Sequence, residues 1–468
     1  MNHLLEANEL SFAYQSNKTL DRITFKVPKG QLIYLTGKSG SGKSTLLNII
    51  NGIIPEVIEG ELEGELFRKG NKEERIEDIG KWISNIFQNP RSQFFTTNST
   101  AELVFQMENY GFSKEEMKRR LNNLCDEFHI HSLLNRDIFS ISSGERQLLA
   151  LLTALIMKPE VLIFDEPSAN LDYGNAMRLK KQMQQLKASG KTILVADHRY
   201  FYLKGVVDQI WVLEDKKMRC FDSEEAFLNS NYGKRSANLF IAEYPKRKIV
   251  PSQELALELR NIGYKTILKN ISTKLYKKEI CFLVGVNGAG KTTLARMIAG
   301  LVKADTGKLE LKDKVLYMMQ DADYQLFAPS VYEELRISQK KDNLNQKALE
   351  AMHLLEQKDQ HPQTLSGGQK QRLQMAISMV SNQGIFLFDE PSSGLDKDSL
   401  ELVAHTFQQL KEDKSLFVIS HDYELIRLCA ERILYLKEGK LQEDFYLTED
   451  KIPQLNKIFI EMEKHYEK

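Results

Sequence analysis

The chain has 468 residues, with 64 Lys and Arg against 64 Asp and Glu, for a formal net charge of zero. That balance leaves no bulk electrostatic footprint for a phosphate backbone, so nucleic acid is not expected as a partner. The length exceeds what one hydrophobic core organises and suits two or three domains.

Met1 to Glu6 lacks a basic segment followed by an apolar core, so it does not read as a secretory signal. Cys125, Cys220, Cys281 and Cys429 lie far apart without C-x-x-C spacing, which points to reduced, structural thiols. The longest apolar stretch, Leu148 to Met157, is about half of the roughly 20 residues a membrane-crossing helix needs. Any transmembrane path must come from other chains, and the expected compartment is cytoplasmic.

In chain order, the first strong signal is Gly37-Lys38-Ser39-Gly40-Ser41-Gly42-Lys43-Ser44-Thr45. It follows an apolar strand, Gln31 to Thr36, and opens an apolar helix at Leu46. Strand, glycine-rich loop and helix together aim backbone N–H groups and a helix N-terminus at phosphates, with the lysine on the outer ones. Gly37, Ser39, Gly40, Gly42, Lys43, Ser44 and Thr45 are therefore nucleotide-site candidates. Glu61 to Lys81, charged and containing Gly64, Gly70 and Gly80, reads as a long surface hairpin.

Next, Val161 to Phe164 is an apolar strand that ends in Asp165-Glu166. Four apolar residues fix the strand in a core, so both acids emerge at its C-terminal end, where open parallel sheets bind ligands. Asp165 is expected near a magnesium ion held by Ser44, and Glu166 is placed to polarise an attacking water as general base. Another apolar strand, Ile193 to Ala196, leads to His198, 32 residues after Glu166, on the adjacent sheet edge near the γ-phosphate.

The same order then repeats. Gly285-Val286-Asn287-Gly288-Ala289-Gly290-Lys291-Thr292-Thr293 lies between the strand Ile280 to Val284 and a helix from Leu294. Gly285, Asn287, Gly288, Gly290, Lys291, Thr292 and Thr293 are its phosphate candidates. Ile385 to Phe388 ends in Asp389-Glu390, and His421 follows 31 residues after Glu390. Asp389 is expected at the metal with Thr292, and Glu390 as general base. Strands alternating with helices in both halves predict α/β layering around mainly parallel sheets. The expected division is residues 1–232 and 253–446 as domains, 233–252 as a partly basic tether, and 447–468 as a helical tail.

Leu365-Ser366-Gly367-Gly368-Gln369-Lys370-Gln371-Arg372 resembles the signature sequence of ATP-binding cassette (ABC) ATPases, 22 residues before Glu390 when counted from Gly368. At the same offset from Glu166 stands Ile141-Ser142-Ser143-Gly144-Glu145-Arg146-Gln147. The resemblance covers nearly the whole chain. It implies two tandem domains, each with a mainly parallel core sheet, an antiparallel β subdomain and a helical signature subdomain. It also implies ATP and Mg2+ as cofactors, Tyr14 and Tyr264 stacked on adenine, and Gln88 and Gln320 near the metal.

In similar proteins two such domains pack head to tail, so each ATP lies between one phosphate loop and the other domain's signature. Carried over, one site joins Lys43, Ser44, Gln88, Asp165, Glu166 and His198 to Ser366, Gly367 and Gly368. The other joins Lys291, Thr292, Gln320, Asp389, Glu390 and His421 to Ser142 and Gly144. Ser143 and Glu145 depart from the usual glycine and glutamine there, which is expected to weaken that site without abolishing it.

Gln93-Phe94-Phe95 and Gln325-Leu326-Phe327 are each followed by an acid nine residues after the glutamine, Glu102 and Glu334. This run resembles energy-coupling factor (ECF) importers. It implies an ATPase on the cytoplasmic face of a membrane, driving a scaffold subunit (T component) and a substrate-binding membrane subunit that import a vitamin, vitamin precursor, cobalt or nickel. The rival readings are a soluble tandem ABC protein acting on ribosomes or nucleic acid, and an exporter ATPase.

Overall fold

Runs of four or five apolar residues bounded by turns become strands buried on both faces, as parallel sheets covered by helices require. The computed structural model describes residues 3–15, 17–87, 93–141, 143–233, 240, 244–245 and 249–465. The chain divides into two compact units, residues 1–170 with 175–237, and residues 238–468 with 171–174.

In the first unit a six-stranded sheet runs, in spatial order, Ile83–Ile86, Val161–Asp165, Thr192–Ala196, Leu32–Gly37, Gln209–Glu214 and Lys217–Phe221. All neighbours are parallel except the last pair. The strand that leads to His198 thus lies between the acid strand and the phosphate-loop strand. Their C-terminal ends converge at one edge.

A second, antiparallel sheet is built from Asn17–Pro28, His3–Tyr14 and Glu61–Arg68. The long hairpin expected over Glu61 to Lys81 does not form. Glu61–Arg68 is one strand paired with His3–Tyr14, not one arm of a local hairpin, and the remainder of the insert forms a turn closed by an Arg68–Asn71 bridge and a short helix, Ile76–Ile79. The free edge of His3–Tyr14 supplied a better partner than the charged residues that follow. Arg68, buried, donates to the carbonyls of Ile50 (3.0 Å) and Ile49 (2.6 Å), capping the C-terminus of the phosphate-loop helix Lys43–Ile50.

The second unit repeats the plan. Its six-stranded sheet runs Val315–Met318, Ile385–Asp389, Ser415–Ile419, Ile280–Val284, Arg432–Lys437 and Lys440–Tyr446, again parallel except the last pair. Its antiparallel sheet joins Leu268–Tyr276, Leu255–Tyr264 and Thr306–Leu311. The helix Ile452–His465 places Leu455, Ile458, Phe459 and Met462 in the same buried cluster as Phe282 and Leu283 of the central strand. Phe459 meets the buried Tyr423 ring edge-on at 5.1 Å, two residues beyond His421.

Most of the expected tether at 233–252 lies outside the described residues. Phe240 and Tyr244, which are described, pack against the second unit's core. All four cysteines are free thiols; Cys125, Cys281 and Cys429 are buried and Cys220 is exposed. No helix among the described residues is long and apolar enough to cross a membrane.

Candidate nucleotide sites

Each phosphate loop is shaped by glycines at two places where no other residue fits. Gly42 and Gly290 precede their helices in the left-handed region, at φ 101° and 103°. A Cβ at Gly37 or Gly285 would sit 2.3 Å from the carbonyl oxygen of Leu213 or Leu436 on the neighbouring strand. The loops therefore wrap closely over the sheet edge, leaving their lysines inside. Lys43 is 4% exposed, and its Nζ donates to the carbonyls of Gly37 (3.0 Å) and Lys38 (3.2 Å). Lys291 does the same with Gly285 (2.7 Å) and Val286 (3.1 Å). Beside the first loop a cleft of about 340 Å3 is lined by Ser39, Gly40 and Ser41 together with Lys18, Thr19 and Lys216.

The acids converge on these loops. Burial pushes the carboxyls of Asp165 and Asp389 up to about 6 each, against the opposing hydrogen bonds of Ser44 and Thr292. One oxygen of each, Oδ1, is buried and has no hydrogen-bond partner among the described residues. A buried carboxylate oxygen left unpaired beside a hydroxyl and a lysine is chemically unfavourable unless a cation completes it. No group of three or more His, Cys, Asp or Glu residues that could hold a metal occurs among the described residues. A hard ion that keeps waters and leans on substrate phosphates needs only one carboxylate and a hydroxyl, so the residues fit Mg2+.

Glu166 and Glu390 share an unusual backbone, with φ of 48° and 52°. Left-handed geometry at a non-glycine residue is costly and persists only when fixed from outside. Here the Glu166 N–H donates to the Ala196 carbonyl (2.7 Å) and that of Glu390 to Ile419 (2.9 Å), just past the acid strand. The turn carries each glutamate toward its histidine. His198 Nε2 lies 3.3 Å from both Glu166 Oε1 and Lys43 Nζ. In the second unit His421 Nδ1 lies 2.9 Å from Glu390 Oε1, and the His421 backbone N–H donates to Glu390 Oε2 (3.3 Å). Burial works to raise the Glu390 carboxyl, but the adjacent His421 outweighs it and holds it below the usual carboxylate range.

Other expected residues are placed more loosely. Tyr14, partly exposed, ends its strand with its hydroxyl 3.2 Å from Thr45 Oγ1, and Phe12 braces its ring edge-on. Tyr264 ends the equivalent strand, with Lys265 Nζ 5.3 Å from its ring centre. Gln320 is exposed just beyond Val315–Met318, whereas Gln88 and Ser142 lie outside the described residues.

Ser366 caps the 14-residue helix Gly367–Val380, accepting from the Gln369 N–H, while the Gln369 side chain accepts from the Ser366 N–H. A Cβ at Gly367 would meet nothing within 4 Å, so packing in this unit does not require that glycine. It leaves a helix N-terminus open to close approach by an anion. Gly144 lies in the first turn of the corresponding helix, Ser143–Leu155.

In the sequence Glu102 and Glu334 stand out only by their spacing. Both are buried, and each accepts two backbone N–H groups, Glu102 from Phe95 (3.0 Å) and Thr96 (2.8 Å), Glu334 from Phe327 (3.1 Å) and Ala328 (2.7 Å). Each carboxylate pins a turn that holds an aromatic ring outward: Phe95 is 77% exposed and Phe327 72%.

The ABC transporter family model matches residues 20–169 and 268–393, both copies of the loop and acid set. The chain belongs to the ABC transporter family. It is therefore an ATPase that uses ATP with Mg2+, built from tandem ABC domains. A Treponema denticola protein provisionally named an ABC transporter ATP-binding protein is 35% identical over 95% of this ABC chain and 97% of its own length. YkoD of Bacillus subtilis, provisionally named an HMP/thiamine import ATP-binding protein, is 29% identical, with 94% and 91% covered.

Among solved structures, archaeal ABCE1 from a ribosome-bound model with Pelota matches with a TM-score of 0.71 at 21% identity, covering 97% of this chain and 80% of that one. The RNase-L inhibitor matches at 0.63 and 21%, covering 96% and 93%. At that identity the likeness is one of fold. It also weakens one expectation, that of no nucleic-acid partner, because the same tandem architecture occurs in a protein described as ribosome-bound.

Proposed function

We propose that this ABC protein is the energising subunit of an ECF-type importer for a micronutrient such as a vitamin, vitamin precursor, cobalt or nickel. It would sit peripherally on the cytoplasmic face of the membrane, against a scaffold subunit and a substrate-binding subunit. The observation that carries the reading is the duplicated presentation of Phe95 and Phe327. Two exposed aromatic rings at matching places, each held by a buried carboxylate, are what a pair of partner helices would grip. Likeness to a protein provisionally named for HMP/thiamine import supports the same reading.

In the proposed mechanism residues 1–232 and 253–446 act as two lobes joined by 233–252, with 447–468 as an added helix, and close head to tail on two ATP molecules. Lys43 and Lys291 leave their loop carbonyls to meet the outer phosphates. Ser366, Gly367 and Gly368 cover the first ATP, and Ser142 and Gly144 the second. Glu166 or Glu390 takes the proton of the attacking water, the water oxygen bonds to the γ-phosphorus, and the bond to ADP breaks. His198 or His421 holds the glutamate and the γ-phosphate in register. Ser44 with Asp165, or Thr292 with Asp389, together with Gln88 or Gln320, would hold Mg2+, which would supply charge neutralisation on the phosphates. Hydrolysis reopens the lobes, and the aromatic turns carry that movement to the membrane helices.

The test is co-purification of the full chain from detergent-solubilised membranes, with Phe95→Asp and Phe327→Asp compared with the parent. Expected are attached integral-membrane subunits, lost in the double variant while ATP binding persists. Recovery only with ribosomes would overturn the importer reading in favour of its soluble rival.

A further inference from the structure

The two metal-side aspartates are not held alike. On the strand Val315–Met318, Tyr317 pairs with Leu387, two residues before Asp389. Its buried hydroxyl donates to Asp389 Oδ2 at 2.9 Å. The equivalent position in the first unit is Asn85, which pairs with Ile163, two residues before Asp165. Asn85 Oδ1 accepts from Asn51 Nδ2 instead (3.3 Å).

The donor in the second unit is also rigidly mounted. The Tyr317 carbonyl accepts from Gln325 Nε2 at 2.6 Å, while Gln325 Oε1 accepts from the Met319 N–H at 2.7 Å. The first-unit counterpart, Gln93 Nε2 to the Asn85 carbonyl, is 3.5 Å long. Tyr317 engages Oδ2, and Oδ1 of Asp389 is buried without a hydrogen-bond partner among the described residues, as Oδ1 of Asp165 is too, but there without a tyrosine donor to fix the carboxylate. A carboxylate has one torsion to fix, and a donor on one oxygen aims the other.

We propose that Tyr317 is a positioning residue of the second ATP site, orienting the Asp389 carboxylate for the Mg2+ of bound Mg-ATP, a device for which Asn85 offers no counterpart among the described residues of the first unit. The proposal rests on Asp389 acting at the metal. A hydrogen bond to a charged group is strong enough that its loss weakens the metal by about tenfold.

The experiment uses the full chain with Lys43→Ala, which silences the first loop. Binding of a fluorescent ATP analogue is followed against Mg2+ concentration, and in EDTA, for the parent, Tyr317→Phe and Asp389→Asn. Expected is a Mg2+ half-saturation raised about tenfold in Tyr317→Phe and further in Asp389→Asn, with binding in EDTA unchanged in Tyr317→Phe. A shift in Asp389→Asn alone overturns the role of Tyr317 and leaves the metal assignment standing. No shift in either removes the metal assignment and the proposal with it. Equal loss of binding with and without Mg2+ in Tyr317→Phe marks a structural role and also overturns it. Should the phenylalanine variant fail to fold, Tyr317→Asn, the residue type found at Asn85, replaces it with the same expected shift.

Discussion

Asp165→Asn is expected to stabilise the nucleotide-free protein at neutral pH. In the folded chain the carboxyl is pushed from 3.8 up to about 6, chiefly by burial. A folded value above the unfolded one means that folding favours the protonated acid, so the ionised form is a burden above both values and none below them. Two units at about 1.4 kcal/mol each make that burden roughly 3 kcal/mol at pH 8. An asparagine of the same shape removes it. For a unit of this size, roughly 2–4 °C per kcal/mol converts to a melting temperature raised by roughly 6–12 °C.

Thermal melts in EDTA at pH 8, 6 and 4.5 follow the effect. The gap between variant and parent should close as pH falls from about 6 toward about 4, where the parent aspartate takes up its proton. With Mg-ATP the order reverses, because the parent gains ligand stabilisation that the variant cannot. A variant that melts at or below the parent at pH 8 without metal, or a gap that widens on acidification, would refute the reasoning.

Glu166→Gln and Glu390→Gln should each lower single-turnover hydrolysis at their own site by about two to four orders of magnitude while ATP binding persists; unchanged hydrolysis in both would remove the general-base assignment. Glu102→Ala should cost the first unit about 2–4 kcal/mol in denaturant unfolding, because two backbone N–H groups lose a charged acceptor, and Glu102→Gln should recover part of it. Phe459→Ala should cost the second unit about 3–5 kcal/mol, as deletion of a fully buried ring does; a loss below about 1 kcal/mol would mean the helix is only loosely seated.

The phosphate loops, the acids and the histidines were legible in the sequence because their chemistry is local: a loop of glycines before a lysine, an apolar strand ending in acids. The doubled pattern then indicated two α/β units. What stayed hidden depends on which strand lies beside which. Tyr317 gains its meaning only from register against Ile385–Asp389, 72 residues from its partner Asp389. The left-handed turns at Glu166 and Glu390 are imposed by the carbonyls of Ala196 and Ile419, which no local propensity records.

The pairing of the segment at Glu61 is hidden for the same reason, since its partner strand begins at His3. Glu145 illustrates the converse. It reads as a departure from glutamine, yet Ser142 with Glu145 keeps the S-x-x-E/Q spacing that Ser366 and Gln369 use to cap their helix.

The seating of the helix Ile452–His465 bears on the order in which the molecule can form. Its Leu455, Ile458, Phe459 and Met462 belong to the cluster around Phe282, so a chain growing from its first residue cannot close the second unit's interior until position 462 has been added. The first unit has all its strands by Phe221 and faces no such delay. During synthesis a finished lobe would precede one whose apolar flank is still open, and that interval is when the nascent chain most needs protection from aggregation.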